Sequence, residues 1–360
     1  MIIRWLKSLP APLLRNAFLL MMVGVLFIYS ASFRNSAEFS ARQLAWMGVS
    51  AGFLFLTVGL GYRFFLGISY ALYVISIALL FYVSFAGLIR LGAQRWIQIG
   101  SFAFQPSELA KLAAALSLAN FLGSRELWEG EGKAVLVTAF LVGVPFLFII
   151  EQPDLGSASL FLPLGVVVLF VWGIRYRYFI LSFVSAILGS PLAWNLLKDY
   201  QKKRILVFMN PNLDPLGSGY TAIQSKIAVG SGGLFGKGWL HGTQSQLDFV
   251  PEHHTDFIFS VIAEELGFFG SVFLILLFGV LFYQMFQVIE KTTDTKARLL
   301  GVGILSIFFF QVLVNIGMSF GLFPITGITL PLISYGGSSL VTNAIALGLL
   351  VSIYKERSIF

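Results

Sequence analysis

Cysteine and charge are the two features that this sequence most clearly lacks. It contains no cysteine, which excludes disulfides, thiol catalysis and metal sites with cysteine ligands. Charged residues form only 11% of the 360 residues, whereas 57% are hydrophobic and 16% are aromatic. A soluble domain carries about 25% charged residues, so this composition is typical of the membrane class. We therefore expect an all-α polytopic membrane protein.

Histidine is also scarce, and no basic stripe is present. Two of the three histidines, His253 and His254, follow Glu252, but no HExxH or GxSxG pattern surrounds them. Metal or triad chemistry is therefore disfavoured at these residues. The net charge of +7 comes from Lys and Arg residues scattered singly between apolar runs, which disfavours nucleic-acid binding.

Apolar runs recur along the whole chain. Ten are long enough to cross a bilayer about 30 Å thick, at roughly 17–25 residues each: 13–32, 43–61, 66–87, 106–123, 134–150, 156–173, 177–196, 257–285, 297–320 and 338–354. The first run follows basic residues, as in a signal peptide, but because apolar runs continue to the end we expect a retained first span. No repeat or linker divides the chain, so residues 1–360 are expected to form one membrane domain.

An even number of spans places both termini on one side of the membrane. With both termini in the cytoplasm, most basic residues near span ends lie inside, as the positive-inside rule requires. Four remain in the short outer connections: Arg34, Arg42, Arg90 and Arg95. The long, glycine-rich connection between spans seven and eight, residues 198–256, then faces outward. So do three further polar segments, at 87–105, 151–156 and 321–339.

Two charged residues stand at the start of the fourth span. Pro106 is suited to the first position of a helix, because that position needs no N–H donor. Glu108 and Lys111 then share one helix face, with Lys111 about 8 Å below the surface. Charges at that depth are costly unless they are paired or face a wet cavity. The two readings that remain are a structural ion pair and a functional pair that lines a cavity.

Asp256 stands at the start of the eighth span, with Ser260 and Glu264 following on one helix face, where Ser260 is expected to contact the substrate. A carboxylate there can accept a proton from a substrate hydroxyl if burial raises its pKa towards neutrality. An N-cap aspartate is the equally weighted alternative. Glu264 and Glu265 lie deeper, so at least one must be protonated or paired with a cation such as Lys226 or Lys111.

The long connection contains several cations. The segment 230–238, GSGGLFGKG, fails the Walker pattern, and what remains is a flexible glycine-rich loop with Lys237 that could close over a phosphorylated substrate. The residues before it predict a short amphipathic or re-entrant helix that presents Lys226, with a plain surface helix as the alternative. Arg204, in a small basic cluster, is expected to face solvent or lipid headgroups, with pyrophosphate binding as the second reading.

Five segments together resemble the shape, elongation, division and sporulation (SEDS) family of peptidoglycan polymerases, in its RodA-like branch more than its FtsW-like branch. They are GAQRWIQIGSFAFQPSELAKL at 92–112, EQPDLGSA at 151–158, NPNLDPLGSGYTAIQSKIAVGSGGLFGKGW at 210–239, FVPEHHTDFIFSVIAEELGF at 249–268 and GITLPLISYGGSS at 327–339. They cover roughly a third of the chain and occur in the family's order. Gln98 stands where relatives often have proline, which affects the shape of the loop more than its chemistry.

The resemblance implies a glycosyltransferase that joins lipid II units into β-1,4 glycan at the outer face of the cytoplasmic membrane, for cell elongation. By the family's pattern Asp256 is the essential residue and base, and Glu108 with Lys111 is the second functional pair. Arg95 and Asp154 fall on motif positions that line the outer cavity. Inverting transfer would release undecaprenyl diphosphate. The cations available for that diphosphate are Lys111, Lys226, Arg95 and Arg204.

The resemblance also implies partners. A class B penicillin-binding protein is expected to supply transpeptidation, together with other membrane proteins of the elongation machinery. A magnesium or manganese ion could share the charge of the diphosphate, but no ligand cluster in the sequence requires one. A lipid II flippase is the main alternative, and a non-catalytic scaffold is a third. The outer location of the polar motifs favours the polymerase, because a flippase needs sites near the midplane.

Overall fold

The computed structural model describes residues 9–33, 38–90, 93–100, 102–124 and 130–357 of the chain. Within these ranges the protein is a bundle of α-helices with one small sheet. The helices are α1 Ala11–Ser32, α2 Glu38–Leu60, α3 Tyr62–Gly67, α4 Ser69–Ala86, α5 Pro106–Leu122, α6 Glu131–Glu151, α7 Leu155–Ser159, α8 Phe161–Trp172, α9 Tyr176–Leu196, α10 Asp199–Met209, α11 Ser218–Ser231, α12 Thr243–Gln246, α13 Ile258–Glu290, α14 Thr295–Phe320 and α15 Gly337–Arg357. This architecture confirms the expected all-α polytopic membrane protein.

Eight stretches of helix in the described ranges are long and apolar enough to cross a membrane. They correspond to α1, α2, α4, α6, α7 with α8, α13, α14 and α15. The other two predicted spans coincide with α5, which carries Glu108 and Lys111, and with α9. The number ten therefore stays a prediction. Of the outer arginines used to predict orientation, Arg34 lies outside the described residues, as does the side chain of Arg90.

The helix α5 lies at the centre of the bundle. It begins at Pro106, as the sequence predicts, and nearly all of its side chains are buried. Its neighbours include α4, α6, α8 and α14. Small residues such as Ala113, Ala114 and Ala115 occupy much of α5, which lets neighbouring helices approach closely, as is common in membrane bundles. The two charged residues of α5 are therefore enclosed by protein.

A three-stranded antiparallel sheet precedes α5, and the sequence analysis did not predict it. Its strands are β1 Leu88–Arg90, β2 Ala93–Ile99 and β3 Phe102–Phe104, in the order β1-β2-β3. The central strand pairs Trp96 with Leu88 and Ile97 with Phe104. The segment 87–105 was expected to be a loop. Its pairing as a sheet instead gives Arg95 a fixed support.

The long connection 198–256 is folded rather than extended. It contains α10, α11 and α12, and the predicted helix that carries Lys226 is confirmed as α11. The first turn of α11 is capped by the Asp214 carboxylate, which accepts from the Ser218 N–H at 3.0 Å. The same carboxylate pairs with Lys203 at 3.1 Å.

The helix α13 is broken at Gly267, which has φ 67° and ψ −157°. The glycine-rich segment 230–238 satisfies the freed backbone groups: Phe268 N–H donates to Gly233 O at 2.8 Å, and Lys237 N–H donates to Glu264 O at 3.0 Å. A side chain at Gly236 would collide with the Glu265 carbonyl. The glycines thus allow the loop to pair with the broken helix, which anchors a segment expected to be flexible.

Candidate active site

Asp256 lies just before α13 and is not its cap. The N-cap is Phe257, and no side chain caps the helix there. The Asp256 side chain is half-buried. The arrangement therefore disfavours the capping alternative and leaves the carboxylate available for another partner.

Arg95 is fixed against the turn between α6 and α7. Its guanidinium lies 3.6 Å from the Asp154 carboxylate and donates to the backbone carbonyls of Gln152 and Pro153. Asp154 is almost completely buried and also accepts from the side chain of Gln105, at 3.3 Å, and from the N–H of Ser157, at 3.1 Å. Arg95, which β2 carries, is thus fixed in position by its contacts with the turn between α6 and α7.

Gly327 brings Asp256 and Arg95 together. A Cβ atom at Gly327 would lie 3.3 Å from Asp256 Oδ2 and 3.9 Å from Arg95 Nη1. The carboxylate and the guanidinium therefore flank the same point of backbone. Gly327 has φ +74°, a conformation that favours glycine. These contacts confirm that the predicted outer segments around 95, 154, 256 and 327 meet at one end of the bundle.

The backbone on both sides of this site is held by residues that the sequence analysis missed. Asn315, a fully buried side chain of α14, donates from Nδ2 to Asp256 O at 2.8 Å and to Ile328 O at 2.6 Å. Ser334 Oγ donates to Thr255 O at 2.5 Å. The signal that could have found Asn315 is its place as an amide in the apolar run 297–320, because buried polar groups in a membrane require a partner.

Electrostatics suit Asp256 to proton transfer. Loss of solvent contact on burial is the main cause that raises the pKa of Asp256 to about 7, and the Glu252 carboxylate adds to that effect. Arg95 acts in the opposite direction, and Asp154 raises the pKa further. A carboxylate with a pKa near 7 is ionised in part at neutral pH and accepts a proton readily.

Glu108 and Lys111 form the predicted ion pair, at 2.8 Å between Oε1 and Nζ. Both side chains are buried, and they line a small cavity together with Thr342 and Asn343 of α15. Glu108 Oε2 is buried and has no hydrogen-bond partner among the described residues. Lys111 and Glu108 therefore neutralise each other, and Glu108 Oε2 remains available as a hydrogen-bond acceptor.

Two residues expected to touch substrate are engaged elsewhere. Lys237 Nζ pairs with Glu264 at 2.7 Å, so Lys237 is the cation that neutralises this buried acid. Ser260 Oγ lies 2.8 Å from Ser225 Oγ and joins α13 to α11. Glu265 accepts from Ser30 Oγ at 2.5 Å. None of these contacts involves the Asp256 carboxylate.

Arg204 and Lys226, by contrast, face one common groove. It lies between α10, α11 and the segment that follows α14, and it is partly open to solvent. Arg204 is also close enough to Arg95, Asp154 and Asp256 to interact with them electrostatically. Within the described ranges no group of three metal-ligating side chains is present.

Comparison with known proteins decides the family. The model of the FtsW, RodA and SpoVE proteins, described as "Cell cycle protein", matches residues 11–359. The chain belongs to this family. The five sequence motifs indicated the same family, and the family match extends over nearly the whole chain.

Several relatives resemble the chain along its length. Peptidoglycan glycosyltransferase MrdB of Escherichia coli K12 is 40% identical over 339 residues, which cover 94% of this chain and 91% of that protein. Stage V sporulation protein E of Bacillus subtilis is 38% identical and covers 94% of each chain.

Two solved structures extend the family likeness to the fold. The structure described as "Structural coordination of polymerization and crosslinking by a peptidoglycan synthase complex" matches with a TM-score of 0.85 at 33% identity, covering 97% of this chain and 98% of the other. The rod shape determining protein RodA of Thermus thermophilus matches with a TM-score of 0.73 at 31% identity, covering 97% of each.

Proposed function

We propose that this chain is a peptidoglycan glycosyltransferase that polymerises lipid II into β-1,4 glycan. Its relatives bear the name peptidoglycan glycosyltransferase. The observation that carries the proposal is the juxtaposition of Asp256 and Arg95 across Gly327, with a raised pKa at the acid. A base beside a fixed cation is the pair that transfer from a diphosphate donor requires.

In the proposed reaction Asp256 takes the proton of the 4-hydroxyl on the acceptor's terminal GlcNAc. The hydroxyl oxygen attacks the anomeric carbon of the donor on the face opposite its diphosphate. The new glycosidic bond forms as the bond to the diphosphate breaks, so the configuration inverts and undecaprenyl diphosphate leaves with the electron pair. Arg95 stabilises negative charge that develops in this step, and Asp256 later loses its proton to solvent.

We propose a supporting role for Glu108 and Lys111. Because Lys111 is already paired with Glu108 at 2.8 Å, it is a weak counter-ion for diphosphate, but Glu108 Oε2 is free to accept a hydrogen bond from a water in the small adjoining cavity. Lys237 pairs with Glu264 of α13, and Ser260 contacts Ser225 of α11. We propose that both residues act indirectly, by holding the loop that leads to Asp256.

The proposal extends to location and partners. We infer a multi-pass protein of the bacterial cytoplasmic membrane with both termini inside and Asp256 on the outer side, as the distribution of basic residues favours. A class B penicillin-binding protein is the proposed partner. A structural neighbour whose description names a peptidoglycan synthase complex supports that expectation.

The test is polymerisation of lipid II by the purified protein with its class B partner. Asp256→Asn should lower the rate by about 10²–10⁴-fold, the usual contribution of a general base. Asp199→Asn, at an exposed carboxylate that begins α10, is the matched control and should polymerise normally. Both variants must show the same thermal unfolding as the wild type.

A pH–rate profile separates the base from an electrostatic role. The base works in its ionised form, so the wild-type rate should rise as the pH increases through about 7 and then level off. Equal rates for Asp256→Asn and wild type would remove Asp256 from catalysis. If no variant polymerises while all of them move lipid II across vesicles, the protein is a flippase.

A further inference from the structure

His253 stands in the turn that leads to Asp256, and both of its ring nitrogens contact carbonyl oxygens. Nδ1 lies 2.8 Å from Val250 O, and Nε2 lies 2.8 Å from Ala31 O in the last turn of α1. The residue is buried, so solvent offers little compensation if either contact is lost. A neutral imidazole carries one N–H, whereas the protonated ring carries two. Only the protonated ring can therefore donate to both carbonyls.

A neutral ring at His253 would make one of these contacts unfavourable. Its bare nitrogen and the facing carbonyl oxygen are both acceptors, and two acceptors at 2.8 Å repel each other. A buried carbonyl without a donor also loses the hydrogen bond that it makes to water in the unfolded chain. The contacts therefore favour the imidazolium, whichever nitrogen would otherwise lose its hydrogen.

The position of Ala31 strengthens this preference. Its carbonyl belongs to the last turn of α1, where carbonyl groups lack their usual helical partners and carry the negative end of the helix dipole. The side chain of Gln246 donates to the preceding carbonyl, Ser30 O, at 2.7 Å. A cation at such a helix end is stabilised by the dipole. His253 is thus placed where a positive ring is favoured over a neutral one.

The loop that carries His253 adds two acids and a second histidine to its surroundings. Asp248 Oδ1 lies 3.8 Å from Nε2, and Glu252 is the preceding residue. Both carboxylates favour a positive ring. His254, whose ring centre is 5.6 Å from that of His253, would oppose it if it were charged. Burial, and then His253 itself, lower the pKa of His254, so the neighbouring ring stays neutral.

The helices beside this loop do not oppose a positive ring. On α1, Arg15 lies at the opposite end of the helix from the contact with His253. On α2, Glu38 and Arg42 pair with each other at 2.5 Å. On α13, Glu265 accepts from a hydroxyl in the last turn of α1. Among the described residues of these three helices, the cations nearest to the ring are therefore either distant or paired.

The turn that His253 holds also sets the backbone of Asp256. Glu252 has φ +51°, a left-handed conformation that costs energy for a glutamate. In this conformation its carbonyl accepts from the N–H groups of Thr255, Asp256 and Phe257, at 3.2, 3.1 and 3.3 Å. A strained residue keeps its conformation only where neighbouring contacts hold it. His253, the next residue, supplies two such contacts.

We propose that His253 is a positioning residue that holds the Asp256 turn against α1 as an imidazolium, with one ring hydrogen on Val250 O and the other on Ala31 O. The consequence for catalysis rests on the proposed function, in which Asp256 is the base. Loss of the ring proton to solvent leaves one carbonyl without a donor, so the turn loosens and the carboxylate is no longer fixed beside Arg95. The protein then works with Asp256 ionised and His253 protonated.

The first measurement is the protonation state of the rings in the wild type. The chain contains three histidines, so isotopic labelling of histidine gives three pairs of ring-nitrogen NMR signals from the protein in nanodiscs. We expect one ring to carry hydrogens on both nitrogens at neutral pH, whereas a solvated histidine, with a pKa of about 6.5, is then mostly neutral. His241→Gln should keep that signal, and His253→Gln should remove it.

The same spectra can overturn the proposal. Three neutral rings at neutral pH would do so, and this result needs no variant. A doubly protonated ring that disappears in His241→Gln would also do so. If His253→Gln does not fold, His253→Arg makes the same assignment, because it too removes the His253 signals.

Two variants of His253 separate positioning from a purely structural role. His253→Gln should lower kcat about 10- to 100-fold, since a shift of about 1 Å at a reacting group costs roughly 100-fold. KM should change less than about threefold, because the residue contacts backbone rather than substrate. His253→Arg keeps a positive side chain with several donors at every working pH, so it should restore most of kcat.

The pH dependence gives a second readout. Beyond the plateau that ionisation of Asp256 produces, the wild-type rate should fall over the same pH range in which the NMR signals show proton loss from His253. His253→Arg should stay on the plateau there. His241→Gln is the matched control, because His241 is exposed and its Nδ1 contacts Trp239 O at 2.8 Å, and it should keep the wild-type profile.

The kinetic results bear on His253 and not on the family. Full kcat in folded His253→Gln protein, or no rescue in folded His253→Arg protein, would overturn the positioning role. If the wild type does not polymerise lipid II while His253 is doubly protonated, only the polymerase proposal fails. If it polymerises while every histidine is neutral, only the assignment of His253 fails.

Discussion

Asn315 offers the sharpest test of how the site is positioned. Its amide donates one hydrogen to Asp256 O and one to Ile328 O, and Ile328 follows the Gly327 that faces the Asp256 carboxylate. One buried side chain therefore sets the spacing between the proposed base and the backbone opposite it. We predict that Asn315→Leu, which keeps the volume but removes both donors, separates these two segments.

The magnitude follows from the two hydrogen bonds. Each backbone carbonyl left unpaired in a buried site costs about 1–3 kcal/mol, so the loss of both bonds should lower the free energy of unfolding by about 2–6 kcal/mol. A shift of about 1 Å at a reacting group costs roughly 100-fold in rate. We expect kcat for lipid II polymerisation to fall about 10- to 100-fold while KM changes less than about threefold, because Asn315 contacts backbone.

Asn16 is the matched control for Asn315. It is also a buried amide in a membrane helix, and it donates to Leu277 O at 3.0 Å between α1 and α13. Asn16→Leu should lower the melting temperature but leave kcat per folded molecule close to the wild-type value. If Asn315→Leu and Asn16→Leu lose stability to a similar extent and both keep full kcat, the positioning argument is refuted.

Three further predictions follow from the same contacts. Gly327→Ala should reduce the polymerisation rate about tenfold or more, because its Cβ would lie 3.3 Å from Asp256 Oδ2 at a backbone φ of +74°; a normal rate would show that the carboxylate tolerates crowding. Glu264→Ala should lower the free energy of unfolding by about 3 kcal/mol, because it leaves Lys237 Nζ and the N–H groups of Gln244 and Ser245 unpaired. Thermal unfolding measures this loss, and an unchanged melting temperature would contradict it. Lys111→Met should destabilise the protein by about 3–5 kcal/mol, and the double change Glu108→Gln with Lys111→Met should restore stability but not polymerisation; an active double variant would make the pair purely structural.

Much of this fold could be predicted because the relevant signals are local. A run of apolar residues defines a span wherever it occurs, and Pro106 marks the start of α5 without any tertiary information. The pair Glu108 and Lys111 was also predictable, since residues three apart share a helix face. The helix that presents Lys226 followed from a cap residue and the apolar residues Ala222, Ile223 and Ile227 in its own segment.

The features that were missed depend on contacts between distant segments. The sheet consists of the short strands Leu88–Arg90, Ala93–Ile99 and Phe102–Phe104, and its sequence pattern is too brief to distinguish from a loop. The counter-ion of Glu264 could not be chosen from several lysines, because Lys237 reaches it only through the pairing of the glycine-rich loop with the break in α13. Asn315 meets Asp256 only after α14 packs against the start of α13.

The same distinction explains why two acids in one stretch of chain have different roles. The sequence places Asp256 and Glu264 on one helix face, but α13 begins after Asp256, so the two are not equivalent. Glu264 is fully buried and accepts from Lys237 Nζ, Thr243 Oγ1 and the N–H groups of Gln244 and Ser245.

A carboxylate so fully supplied with donors is fixed in place by its hydrogen bonds, and it ties the loop that supplies them to α13. Asp256 has different surroundings: burial raises its pKa to about 7, and Arg95 and Thr255 oppose that rise. It is therefore the acid whose proton affinity is matched to a substrate hydroxyl at neutral pH. The surroundings of each carboxylate, rather than its place in the motif, distinguish Glu264, which anchors the loop, from Asp256, the proposed base.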